Sequence, residues 1–159
     1  SRQEPPALLP VDLNSVIKDA FMMVSEMLLT HSIETVMDLE EVPAVRGSAN
    51  RLEQVVINLI TNAKDAMPGG GVLEISTKAV AQGSRMFSRI AIKDSGAGIP
   101  QEIASRVFDP FFTTKKAGKG TGLGLSISYG IIEEHNGRIT VESGRVKGAV
   151  FHITLPALV

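Results

Sequence analysis

The chain contains no cysteine. That excludes a disulfide framework and a thiolate metal site, and it suits a reducing compartment such as the cytosol. An excess of charge is also missing: 16 Lys and Arg face 17 Asp and Glu, for a net charge of −1. No broad field therefore draws the protein to nucleic acid or to an anionic membrane, and any anion it recognises must be held locally. No apolar run approaches the roughly 20 residues that a spanning helix needs, and the residues after Ser1 do not open a signal peptide. Without an initiator methionine the sequence reads as a piece cut from a longer parent, in which a membrane segment could lie elsewhere. Internal repeats and low-complexity tracts are absent as well.

What is present is an ordinary globular composition. Of 159 residues, 43% are hydrophobic and 21% charged, which suffices for one core and one domain. Residues 1–10 carry Pro5, Pro6 and Pro10 and read as a linker or flexible arm, leaving 11–159 as the domain. From Asp12, a plausible N-cap, apolar residues Leu13, Val16, Ile17, Ala20, Phe21, Val24, Met27 and Leu28 recur at helical spacing. Ile33 to Leu39 and Val45 to Gly47 read as strands. Ser48 or Asn50 can cap the next helix, Asn50 with Glu53 in a capping box, and the helix runs to Met67 before Pro68 and three glycines. Val72–Val80 with Phe87–Lys93, and Ile139–Glu142 with Ala149–Leu155, read as antiparallel pairs. A last helix ends near His135, with Gly137 placed at C′. The order predicts an α+β domain: a two-layer α/β sandwich whose mixed, mostly antiparallel sheet is covered on one face by about three helices.

Three segments stand out chemically. On the helix from Asn50 to Met67 the polar face carries Arg51, Gln54, Asn58, Thr61, Asn62 and Asp65. Asn and Asp are poor helix formers, yet Asn58, Asn62 and Asp65 at i, i+4 and i+7 project oxygens from one side, as hard ligands for Mg²⁺ and its phosphates or as a merely polar face. Asp94-Ser-Gly-Ala-Gly98, followed by Ile99 and Pro100, sets a carboxylate beside two glycines at a strand end. Such a carboxylate can accept from an exocyclic amine like that of adenine; the same residues also suit a tight turn before a short helix at Pro100. Phe108-Asp-Pro-Phe-Phe-Thr-Thr-Lys-Lys116 then leads to Gly118-Lys-Gly-Thr-Gly-Leu-Gly-Leu125 and a helix, an arrangement able to close over a polyphosphate. Gly120, Gly122 and Gly124 give G-x-G-x-G, which is neither the Rossmann fingerprint nor a P-loop.

In this order the segments resemble the four boxes of the catalytic ATP-binding domain of two-component sensor histidine kinases. The N box is similar to Asn58-Leu-Ile-Thr-Asn62-Ala-Lys-Asp-Ala66, the first glycine box to Asp94–Gly98, the F box to Phe108–Phe112 and the second glycine box to Gly120–Gly124. The resemblance runs from about Asp12 to Pro156, and Asn62-Ala-Lys-Asp-Ala-Met67 looks most like the nitrogen-regulation sensor branch. It implies the Bergerat ATP-binding fold, with ATP and Mg²⁺ as ligands. It further implies that Asn62 holds the metal, that Asn58 contacts metal or phosphate, and that Asn58 and Lys115 serve the transfer. Asp94 would bind the adenine amine, with Gly96, Gly98 and Ile99 around the ring. Thr114, Lys115, Gly120, Thr121, Gly122, Leu123, Gly124 and Leu125 would form lid and phosphate cradle, and Phe108, Phe111 and Phe112 would anchor the lid. Asp65, in the nucleotide-binding set, stands where many relatives have a phosphate-binding Lys, which leaves Lys64, Lys115 or Lys119 to supply the cation. Ala149 stands where relatives often have Thr, removing a hydroxyl from the adenine network.

The related fold of DNA gyrase, the large heat-shock chaperones and mismatch-repair ATPases places a water-activating Glu one turn before the metal-binding Asn. Here that position is Asn58, whose amide cannot act as a base, so the resemblance implies a kinase rather than an ATPase. None of His31, His135 and His152 is followed by Glu or Asp on a helix, as acceptor histidines are; His135 reads instead as a charge near a helix C-terminus and His152 as a strand surface residue. The acceptor is expected on a dimerisation domain preceding Ser1 in a homodimeric, cytoplasmic or membrane-anchored parent, with a response-regulator receiver domain as onward partner and no nucleic acid. The alternatives are a serine kinase of the anti-sigma type, an ATPase of the gyrase and chaperone class, and a module that binds ATP without transferring it.

Overall fold

The computed structural model describes residues 8–112, 124–143 and 147–158. Asp12 caps helix α1 (Leu13–Thr30), its carboxylate accepting from the Asn14 N–H at 3.0 Å. The buried stripe of α1, from Leu13 through Val16, Ile17, Ala20 and Val24 to Leu28, keeps the predicted spacing. Strands β2 (Ile33–Leu39) and β3 (Val45–Gly47) follow as expected. Ser48 caps helix α2 (Ala49–Asp65) by accepting from the Arg51 N–H at 3.3 Å, so the capping box drawn on Asn50 gives way to the earlier of the two candidates. The helix ends two residues before Met67, which is buried beyond it.

Strands β4 (Gly71–Gln82) and β5 (Arg85–Asp94) form a hairpin, and β6 (Arg138–Ser143) pairs with β7 (Ala149–Pro156). The five-stranded sheet has the order β2-β4-β5-β7-β6, and only β2 with β4 is parallel. Between those two strands the chain passes through β3 and α2, and a helical crossover of that length returns it in the same direction. Strand β1 (Leu9–Val11) pairs antiparallel with β3. Leu9 and Pro10, expected in the arm, are therefore tied to the domain; Val11 is buried, and a proline is tolerated in a short edge pair.

Along the central strands the buried residues alternate, Leu73, Ile75 and Thr77, then Ser88, Ile90 and Ile92, then Phe151, Ile153 and Leu155, and form one core with α1, α2 and α3 (Gly124–Glu134). The architecture is the predicted two-layer α+β sandwich. The two buried hydroxyls in this set are matched: Thr77 Oγ1 donates to Asn14 Oδ1 at 2.8 Å and Ser88 Oγ to the Pro43 carbonyl at 2.7 Å. No described helix is long and apolar enough to cross a membrane.

Helix α3 ends in a Schellman motif, with the Asn136 N–H bonded to the Glu133 carbonyl and the Gly137 N–H to the Ile132 carbonyl, both at 2.9 Å. The left-handed residue is Asn136 at φ 57°, where Gly137 was expected. Gly137 is required for another reason: a Cβ there would collide with Leu155 and the Thr154 carbonyl of β7.

Candidate functional site

The sheet delivers Asp94 to the end of its third strand, and there the carboxylate is almost completely enclosed, 2% exposed. The Gly96 N–H donates to its Oδ1 at 2.9 Å, and the Ala149 N–H also bonds the carboxylate. Burial outweighs these two donors and holds the carboxyl above its ordinary value. The alanine that lacks a supporting hydroxyl thus contributes its backbone. Gly148 makes this approach possible: its φ is +100°, and a Cβ would run into the Asp94 carbonyl. Gly96 is hemmed in on the other side by the Ala66 carbonyl at the end of α2, and Gly98 has φ +85°. Ser95 Oγ accepts from the Val72 N–H at 2.9 Å and lies 3.4 Å from Met67 Sδ, so the first glycine box is fastened to β4 and to the segment that follows α2. Ile99 is half-buried against the core.

On α2, Asn58 and Asn62 are half-buried and Asp65 is exposed, forming with Lys64 an ion pair of 2.9 Å. Asn58 Nδ2 lies 3.3 Å from Ser128 Oγ and 3.4 Å from the Gly124 carbonyl, both on α3. Two amide oxygens on one helix face fit a hard divalent cation. Among the described residues no cluster of three or more His, Cys, Asp and Glu side chains gathers.

Of the second glycine box, Gly124 opens α3 and Leu125 packs against the core. Thr114, Lys115, Lys119, Gly120, Thr121, Gly122 and Leu123 lie outside the described residues. The expected aromatic anchor divides. Phe108 stacks edge-on against Phe151 at 6.1 Å and tilted against Tyr129 at 5.7 Å, and Arg106 lies 5.1 Å over the Phe112 ring. Phe111 is 72% exposed, at φ +65°, and the lid segment it was expected to anchor lies outside the described residues. Pro100 does precede a short 3₁₀ helix, Gln101–Arg106.

His135 corrects its sequence reading. The ring is buried, Nδ1 lies 2.8 Å from the Ile131 carbonyl, and Nε2 accepts from the Ser48 N–H at 3.1 Å. A carbonyl can only accept and an amide N–H only donate, so the proton sits on Nδ1 and the ring is neutral, not the helix-end cation expected. Its place requires Gly47, where a Cβ would strike the ring. His152 is half-buried on β7, 3.5 Å from Glu142.

Two contributors escaped the sequence reading, Ser128 behind Asn58 and Gly148 behind Asp94. Ser128 left a trace: it is the hydroxyl on the buried stripe with Ile131 and Ile132, four residues after Gly124. Gly148 left only its position before the last strand.

The family described as histidine kinase-, DNA gyrase B- and HSP90-like ATPase matches residues 47–159. Sporulation kinase E of Bacillus subtilis (strain 168) is 39% identical over 91% of this chain, which spans only 19% of that protein. The catalytic domain of histidine kinase ThkA superposes with a TM-score of 0.82 at 33% identity, covering 94% of this chain and 95% of that one. ThkA in complex with the response regulator protein TrrA gives 0.78 at 30% identity, over 95% of this chain and 42% of that one.

Proposed function

Since the chain belongs to the histidine kinase-, DNA gyrase B- and HSP90-like ATPase family, as the catalytic domain of a sensor histidine kinase, we propose that it binds Mg-ATP and hands the γ-phosphate to a histidine outside itself. Asp94 receives the adenine amine, with Gly96, Gly98 and Ile99 around the ring. Asn62 holds the metal on the polar face of α2, with Asn58 beside it. Thr114, Lys115 and Gly120 through Leu125 cradle the phosphates, with Lys115 as the transfer cation and Asp65 at the edge of the same set. Mg²⁺, when bound, offsets phosphate charge during the transfer.

One observation carries the choice between kinase and ATPase. Asn58 occupies the place of a water-activating carboxylate, and its amide, whose nitrogen is turned to α3, cannot take a proton from water. The described histidines are not arranged as acceptors either: both nitrogens of His135 are bonded, His31 Nδ1 is 2.8 Å from the Met27 carbonyl at the end of α1, and His152 has Nδ1 enclosed in the sheet and Nε2 3.5 Å from Glu142. The acceptor then belongs to a dimerisation domain of a homodimeric parent, acting in the cytoplasm, and the receiver domain of a response regulator takes the phosphate onward. The complex of ThkA with TrrA supports that partnership.

Calorimetry and radiolabelling test this reading. The chain should bind Mg-ATP, hydrolyse it barely, and take up no acid-labile label alone. Asp94→Asn should weaken adenine-nucleotide binding by about 10- to 100-fold, the loss of a hydrogen bond to a charged group. Wild-type affinity in that variant, or label on the isolated chain, would sink the corresponding part.

A further inference from the structure

Ser128 is fully buried, 0% exposed, on a face of α3 otherwise formed by Ile131 and Ile132. A hydroxyl in such surroundings costs stability unless it is bonded, and the group it meets is the Asn58 amide, 3.3 Å away. The same amide nitrogen lies 3.4 Å from the Gly124 carbonyl, one turn earlier on α3. A backbone carbonyl only accepts, so the nitrogen pole of Asn58 is the one turned to α3 and the oxygen pole is turned away.

The two poles do opposite things at a polyphosphate. An amide oxygen attracts a divalent cation or its bound water and repels phosphate oxygens; an NH₂ group does the reverse. Which pole faces the ligand therefore decides which group Asn58 serves, a choice that neither helix spacing nor residue type makes. We propose that the Gly124 carbonyl selects the nitrogen pole for the α3 side and that Ser128, accepting from the same nitrogen, is a positioning residue that holds the Asn58 amide there, its carbonyl turned toward the nucleotide's divalent cation rather than its NH₂ toward phosphate. The proposal rests on the reading that the polar face of α2 receives Mg-ATP.

The test separates metal from nucleotide. Mn²⁺ is titrated into the 159-residue chain with a non-hydrolysable ATP analogue, and free Mn²⁺ is followed by electron paramagnetic resonance. Analogue binding in EDTA is measured in parallel by calorimetry. Ser128→Ala should weaken Mn²⁺ binding by about three- to tenfold, as the loss of one neutral hydrogen bond implies, and leave analogue affinity in EDTA within about twofold. Ser128→Thr keeps the hydroxyl and should restore Mn²⁺ affinity. Where its extra methyl unfolds the protein, seen by circular dichroism, Ser128→Cys takes its place and should fall between alanine and wild type. Unchanged Mn²⁺ affinity in Ser128→Ala overturns the proposal, and so does an equal loss in EDTA, which would mark a general packing defect. Failure of the wild-type chain to bind the analogue at all would instead strike at the nucleotide reading.

Discussion

Where α3 ends and α2 begins, the two helices are joined by short polar links: Ser48 N–H to His135 Nε2 at 3.1 Å and Arg51 to Glu134 at 2.9 Å, with His135 Nδ1 itself held by the Ile131 carbonyl at 2.8 Å. Toward the glycine boxes they meet through the Asn58 amide, which reaches Ser128 and Gly124 at 3.3 and 3.4 Å, long for a hydrogen bond. The same pair of helices is thus fastened at one end and loosely held at the other. The loose end carries the ligand-facing groups, where the Ser128 and Gly124 contacts orient the Asn58 amide without tying the helices together. The fast end sets the helix register that such contacts cannot set alone.

The largest expected effect breaks the fast end. His135→Ala empties a buried site and leaves the Ser48 N–H without its partner, while the Ile131 carbonyl keeps only the backbone N–H of residue 135 at 3.2 Å, and should cost about 2–4 kcal/mol in urea unfolding. His135→Gln, whose side-chain carbonyl can still accept from Ser48, should recover part of that loss. At a temperature where both variants are folded, nucleotide affinity should stay within about twofold. A variant of normal stability but poor nucleotide binding would reverse the assignment of the two ends.

That contrast was only half legible in the sequence. The sheet, the helices and Asp12 as cap follow from local periodicity and turn chemistry, and Asn58, Asn62 and Asp94 follow from residue types that are costly where they stand. The wiring between helices does not, because it joins residues 70 and 87 positions apart, and no local pattern links Asn58 to Ser128 or Ser48 to His135. His135 was misread for this reason. Near a helix C-terminus a histidine is ordinarily a favourable cation, and only the distant Ser48 amide makes it a neutral acceptor.

A smaller effect sharpens the contrast in charge. At the fast end the buried ring is neutral, whereas at the ligand end Asp94 is an enclosed carboxylate held above its ordinary value of 3.8 by burial, against the Gly96 and Ala149 amides. A raised native value means that the folded state binds this proton more tightly than the unfolded chain. The stability so gained is complete below the unfolded value and is lost as pH rises through the native one. Thermal melts of wild type and Asp94→Asn from pH 7 down to 4 should show wild type gaining on the variant as pH falls. The opposite slope would mean that the two amides outweigh burial.

The smallest effect belongs to the most conspicuous contact. Arg51 and Glu134 meet at 2.9 Å, but their side chains are 34% and 55% exposed, and water screens such a pair. Arg51 Nε is moreover buried without a partner among the described residues, a cost that the ion pair must first offset. A double-mutant cycle of Arg51→Ala and Glu134→Ala should give a coupling of about 0.2–1 kcal/mol, shrinking in salt. A coupling as large as the His135→Ala loss would place the register of the fast end in the surface pair. The expected small value assigns it to the buried ring, the one link there that excludes water and is bonded on both sides.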